Sequence, residues 1–259
     1  MASSFSEAYV RIAEPHEYTK AAWILTRSFA RDPRMNWFGG VQKLIPSYKE
    51  LPNYESHPVS AKRTLKNLFV FQKALVKATI LSGGFITLAV IPPQGEEDEI
   101  LAATTLWLKP GQSLDFSLLM IAKSRMWKVF SGWGREGFKR VLQNFSPAFK
   151  QSWEKGSKTG HSLDRLDSWH LLEMATDPPF EGRGLCSLMM KDGFERTSSE
   201  SKPIRLKATT PRTRDIYTHF GFKIDEEHCF GKGLVDVNGL VAKEAATATG
   251  YREWIMTKV

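Results

Sequence analysis

The 259-residue sequence has only two cysteines, Cys186 and Cys229, which excludes a disulfide framework and any zinc-type cysteine spacing. No metal is expected, and so few thiols fit a reducing, cytoplasmic setting. No uninterrupted apolar run approaches the roughly 20 residues that cross a bilayer, so no membrane span is expected. The opening MASSFSEAYVRIAEPHEY lacks a basic start followed by an apolar core and does not read as a secretory signal. No internal repeat is visible. The formal net charge of +8 comes from Lys and Arg scattered among Asp and Glu. That balance favours an anionic ligand or surface in general and argues against nucleic acid.

What is present is the composition of a soluble globular chain, long enough for one large domain with an insertion. Ala8–Glu14 alternates as a strand does, and PHEYTKAAWILTRSFARD then switches to helical spacing, with Trp23, Ile24 and Phe29 in the expected buried stripe. The segment 33–58, rich in Pro, Gly, Asn and Tyr, reads as loop with short helical pieces, and a basic amphipathic helix follows over about 61–82. Two β-rich runs, 83–93 and 99–110, joined by the acidic turn QGEED, form a hairpin. Residues 111–167 read as a largely helical insertion. Its aromatics Trp127, Phe130, Trp133, Phe138, Phe145, Phe149 and Trp153 alternate with Lys and Arg, which fits a lid, a membrane-surface helix or helices packed on a core. Core packing plus a substrate lid is the expectation, because the glycines at 132, 134 and 137 break any long amphipathic surface helix. A strand (DSWHLLEMATD), a loop, a helix to about Ser198, the strand PIRLKAT, a short helix and two further strands complete the chain. That order means a mixed α/β fold around one sheet, in a single domain over 1–259.

The stretch ATDPPFEGRGLCSLMM, Ala175 to Met190, places two prolines, two glycines and an arginine between an apolar run and a helix. Such a loop can offer several backbone N–H groups to an anion, or serve only as a tight strand-to-helix connection. Its six positions Glu181, Gly182, Arg183, Gly184, Leu185 and Cys186 resemble the acyl-CoA motif of the GNAT acetyltransferase superfamily: Gln or Arg, two variable residues, Gly, one variable residue, then Gly or Ala. Glu181 and Cys186 depart from it. Downstream, Tyr217, Gly221 and Phe222 match the superfamily's Tyr, three residues, Gly-Phe signature, and WHLLEMATDPP supplies its cofactor strand. Trp169, the TPRT entry at Thr210–Thr213 and the W-x-M-T-K ending at Trp254–Lys258 look most like puromycin N-acetyltransferase and its relatives. The resemblance is strongest over Leu166–Val259 and implies a mostly antiparallel mixed sheet, splayed at the acyl-CoA site and flanked by helices.

It also implies a reaction: acetyl transfer from acetyl-CoA, as co-substrate, to a small-molecule amine by direct attack in a ternary complex. A protein lysine or N-terminal acetyltransferase and a non-catalytic acyl-CoA sensor remain the alternatives, and a homodimer is left open. By resemblance, Met174, Ala175 and Thr176 hold the pantetheine amides through their backbone. The loop Gly182, Arg183, Gly184, Leu185, Cys186 and Ser187 holds the pyrophosphate, with Glu181 turned away as a helix-start residue. Thr213 stands where many members use Asn, although a hydroxyl makes only part of that contact. Tyr217 is the candidate general acid, since a phenol near pKa ~10 can protonate a thiolate whose thiol lies near ~8.5. His170, six residues before Thr176 and placed by strand alternation with Leu172 and Met174, is the candidate base; Glu173, on the opposite face, is the second choice. Cys186 fits as a small residue of the loop, with a pKa lowered by the helix start.

Overall fold

The computed structural model of the chain describes residues 8–93, 98–114, 117–145 and 165–259. Seven described strands form one sheet in the order β1-β2-β3-β4-β5-β7-β6. They are β1 (Tyr9–Ile12), β2 (Phe85–Ile91), β3 (Ile100–Leu108), β4 (Trp169–Thr176), β5 (Ile204–Ala208), β6 (Lys223–Phe230) and β7 (Tyr251–Lys258). Only β4 and β5 run parallel; the other neighbours are antiparallel. The mixed, mostly antiparallel sheet expected from the sequence is the one observed. Of the turn QGEED, residues 94–97 lie outside the described residues.

Helices cover both faces. On one side α1 (Tyr18–Ser28), α2 (Pro33–Gly39), α3 (Val59–Leu81) and α5 (Val129–Lys139) close a core with Ile86, Leu88, Leu106 and Ala175 of the sheet. On the other, α6 (Leu185–Thr197) and α7 (Pro211–His219) meet Trp107, Leu171, Leu206 and Trp254. α6 comes so close that a Cβ on Gly193 would lie 2.6 Å from the Trp107 ring, which fixes glycine there. α1 buries Ala21, Ala22, Ile24 and Leu25. Trp23 and Phe29 are half-buried instead of central to the stripe, and Trp23 stacks on Phe69 at 4.2 Å. The sequence had read 33–58 as loop with helical pieces, and α2 is one of them: Asp32 accepts from the N–H groups of Arg34 and Met35, Pro33 opens the helix, and left-handed Gly40 ends it.

Of the helical insertion, α4 (Leu118–Ser124), α5 and a π-helical turn to Phe145 are described; Phe149 and Trp153 lie outside the described residues. Trp133 packs against Phe71 and Phe38, at 4.9 and 6.0 Å between ring centroids, so it belongs to the core. Phe130 stacks on Phe138 at 3.8 Å, and Trp127 is exposed.

The β3–β4 pairing contains a bulge. Leu106 faces Glu173, Trp107 faces Leu171 and Leu108 faces His170, so Leu172 is an extra residue in β4. One extra residue inverts the alternation beyond it. His170 and Glu173, expected on opposite faces, therefore share the face of Leu106 and Leu108, while Met174, opposite Thr105, shares that of Trp107.

A buried ion pair joins the start of α2 to the last strand. Arg34 donates through Nε and Nη2 to the two carboxylate oxygens of Glu253, at 2.9 and 2.7 Å, and the residues are 6% and 0% exposed. Removing one partner strands the other charge out of water, which costs more than the pair itself contributes. Glu253→Met is expected to destabilise the fold by about 3–5 kcal/mol in urea titration. Arg34→Met/Glu253→Met should recover much of that loss; equal losses in both would show that the stranded charge is not the cause.

Candidate active site

β4 and β5 pair only at Trp169–Ile204 and His170–Arg205 and then separate. Beyond that point β4 keeps its ladder with β3 on one edge, and β5 keeps its ladder with β7 on the other. The edge of β4 from Leu171 to Thr176 thus faces a gap in the sheet. A cavity of about 1040 Å³ opens there, with Met174 and Thr176 on one wall.

The loop after β4 forms the next wall. Gly182 and Gly184 have φ of 76° and 82°, and nothing lies within 4 Å of a Cβ built on either. Glycine is required by backbone handedness at these points and not by crowding. Gly184 caps α6 without any side-chain bond, and the first helical hydrogen bond is Leu188 N–H to Gly184 C=O at 3.1 Å. The N–H groups of Leu185, Cys186 and Ser187 consequently have no intrahelical acceptor, and all three residues line the cavity. An uncapped helix start with partial positive charge, facing open space, is suited to an anion. Glu181, expected to turn away, lines the cavity, with its charge balanced by Lys49 Nζ at 2.8 Å. Arg183 is exposed, lies 5.7 Å over the Phe180 ring and is not part of the cavity wall. Arg31 and Arg212 are exposed on that wall and make no ion pair with another described residue.

The remaining candidates separate. Ala175 lies in the core under α1 and α3, leaving only its backbone for a ligand. Thr213 lines the cavity, but its hydroxyl closes a capping box: Thr210 N–H donates to it and Thr213 N–H donates to Thr210 Oγ1, both at 3.1 Å. His170, half-buried at the closed end of the β4–β5 pair, does not line the cavity. None of residues 117–145 lines it either; the described part of the insertion packs on α2 and α3 instead of covering this opening. Cys186 lines the cavity, and burial pushes its thiol up, the opposite direction to the lowering expected at a helix start.

Tyr217 on α7 also lines the cavity. It is 7% exposed, packs edge-on against Phe222 at 5.9 Å between ring centroids, and its hydroxyl has no hydrogen-bond partner among the described residues. Burial pushes the phenol well above its usual range, so it holds its proton. Glu173 does not line the cavity; it is buried close enough to Tyr217 and Asp32 to interact with both electrostatically. Its carboxyl is raised from 4.5 to about 8, chiefly by burial, while the positive charge of Arg34 and a hydrogen bond from Gln72 work the other way. Gln72 Nε2 reaches Glu173 Oε1 at 3.5 Å, and Oε2 has no partner among the described residues.

Sequence reading missed Asp32 and Thr209. Both line the cavity, and Thr209 donates to Asp32 Oδ2 at 2.5 Å. Burial raises the Asp32 carboxyl, with Arg34 opposing. Asp32-Pro33 has the pattern of a helix cap and first turn, but nothing local shows that this cap lies across from the loop after β4.

No protein-family model matches the chain. An uncharacterized N-acetyltransferase from Schizosaccharomyces pombe is 29% identical over 122 residues, covering 47% of this chain and 47% of that protein; the match thus spans about half the length of that curated relative. Among solved structures, a Corynebacterium glutamicum histone acetyltransferase HPA2 and related acetyltransferase superposes with TM-score 0.52 at 20% identity, covering 97% of this chain and 95% of that one. Arylalkylamine N-acetyltransferase 2 from Aedes aegypti does so with TM-score 0.52 at 15% identity, covering 98% and 99%. An agmatine N-acetyltransferase gives 0.51 at 11% identity, covering 97% and 98%. The fold is that of the GNAT acetyltransferases.

The two thiols provide a probe of the cavity. Cys229 is exposed, whereas Cys186 is partly buried with a raised thiol. Iodoacetamide near neutral pH is expected to label Cys229 first, and coenzyme A to slow labelling of Cys186 alone, as read by peptide mass spectrometry. Protection of both or of neither would place coenzyme A elsewhere.

Proposed function

We propose that this chain is an acetyl-CoA-dependent N-acetyltransferase acting on a small-molecule amine by direct transfer. The observation that carries the reading is the divergence of β4 from β5 onto an uncapped helix start, at Leu185 to Ser187, inside one cavity. The N-acetyltransferase named in fission yeast and the arylalkylamine and agmatine N-acetyltransferases among the structural neighbours support it.

Acetyl-CoA supplies the activated acetyl thioester. The amides of Leu185, Cys186 and Ser187 hold its pyrophosphate, with Arg31 and Arg212 in place of Arg183 as the side-chain cations. The free β4 edge, including Met174 and Thr176, takes the pantetheine amides as an added strand would. Glu173 accepts the proton of the incoming ammonium through a water, and Tyr217 gives its proton to the departing sulfur. Neither residue lines the cavity; Glu173 replaces His170 as the preferred base because it lies close enough to Tyr217 to act on that phenol electrostatically, while His170 stands at the closed end of the β4–β5 pair. A basic protein tail is the second reading, in line with the histone acetyltransferase named for one neighbour and with Asp32, Glu181 and Asp215 in the cavity lining.

A carboxyl raised to about 8 becomes a base only as it loses its proton, so kcat/KM should climb with pH through about 8. Glu173→Gln should remove that limb of the profile; an unchanged profile would take Glu173 out of the mechanism. The stability effect has the opposite sense. Between its ordinary 4.5 and about 8 the folded chain keeps a proton that the unfolded chain releases, so Glu173 makes stability fall as pH rises across that window. Tyr217→Phe should lower kcat by about a hundredfold with coenzyme A affinity retained. The function itself is tested by thiol release from acetyl-CoA with a panel of arylalkyl and alkyl amines; tight coenzyme A binding without turnover on any amine would favour a sensor.

A further inference from the structure

Two segments that pack on each other carry a marked excess of positive charge. α3 carries Lys62, Arg63, Lys66, Lys73 and Lys77 and no acid, and residues 117–145 carry six basic residues against Glu136 alone. These two segments hold more positive charge than the net +8 of the whole chain, and α3 packs directly on α4, α5 and the turn between them.

A groove of about 510 Å³ runs between α1, α3 and the turn at Ser124–Lys128. Its floor is apolar, from residues such as Tyr18, Phe69, Val70, Ala74 and Ile80, and its cations are Lys73, Lys77, Arg125 and Lys128. No acidic residue lines it, and none of the four cations forms an ion pair with another described residue. Lys73 Nζ lies 5.7 Å from the Phe69 ring centroid, and Lys128 Nζ 5.7 Å from that of Trp127. On the same segment Leu118 is 87% exposed, Leu119 63% and Trp127 54%. The groove shares no lining residue with the cavity at β4 and β5.

We propose that this face docks on an anionic phospholipid bilayer. The lysines meet the headgroup phosphates and carboxylates, Trp127, Leu118 and Leu119 enter the interface, and the groove takes the apolar part of a lipid. Charge complementarity sets the sign of the surface, and the exposed apolar residues set its kind. A nucleic acid offers nothing to bury Leu118 and Leu119. An acidic protein helix would fill the groove, but it gains little from leucines that project beyond it. A bilayer uses both the cationic groove and the projecting side chains.

The test is co-sedimentation of the full chain with phosphatidylcholine vesicles, with and without phosphatidylserine. Binding is expected only with phosphatidylserine and should weaken at high salt. Lys73→Glu/Lys77→Glu/Lys128→Glu should lower the bound fraction at least roughly tenfold. Leu118→Ser/Trp127→Ser should lower it at unchanged charge. All five sites are exposed, so coenzyme A binding and thermal stability should stay as in the parent and show that these variants fold. No binding to either vesicle, equal binding to both, or binding to an acidic helical peptide without binding to vesicles would each overturn the proposal.

Discussion

A pair of neighbouring strands that cease to be neighbours is the constraint on which the molecule is organised. β4 and β5 share two residue pairs and then part, and backbone groups left in such a gap are costly unless something meets them. Both strands can afford to part because each is held on its other edge, β4 by β3 and β5 by β7. The helices that follow them, α6 and α7, begin on the two banks of the gap. Their starts differ in one respect that matters: α7 closes its own amides with the Thr210–Thr213 box, whereas α6 has no side-chain cap. The fold thus leaves one helix start open to the cavity and seals the other.

Beneath the gap lies a compact set of buried charges. Arg34 is bound to Glu253 in β7 and lies near enough to influence Asp32 and Glu173, which themselves repel each other. Three carboxyls around one guanidinium cannot all be ionised cheaply at low dielectric, and the burden falls on those without the direct pair. Glu253 has that pair. Glu173, with one weak hydrogen bond from Gln72, is the group left holding a proton. The same ion pair that anchors α2 to the sheet therefore helps set the chemistry available at β4.

The sequence made much of this legible where the signal was local. Strand alternation, the Gly182 and Gly184 spacing, the double proline and the Tyr217–Phe222 block all lie within a few residues of the element they specify. Three kinds of information were not local. The extra residue Leu172 belongs to a pairing with β3 that the strand's own pattern does not contain, so the placement of His170 and Glu173 on opposite faces failed. Asp32 went unread because its place at the cavity depends on Thr209, 177 positions away. Aromatic residues alternating with basic ones carry no mark of which face they will cover: of the described part of the insertion, Trp133 packs in the core, as the core-packing half of the expectation had it, and Trp127 lies on the surface.

The two loop glycines differ from Gly193 in a way that reaches beyond this cavity. At Gly193 a methyl group would strike the Trp107 ring, so size forbids it; at Gly182 and Gly184 there is room, and only the sign of φ objects. The first kind of restriction is absolute for any side chain, whereas the second belongs to the L configuration alone. A D-alanine introduced at Gly184 by chemical ligation would meet a φ of 82° without the backbone strain that an L residue carries there. The loop disfavours L side chains by chirality and not by crowding.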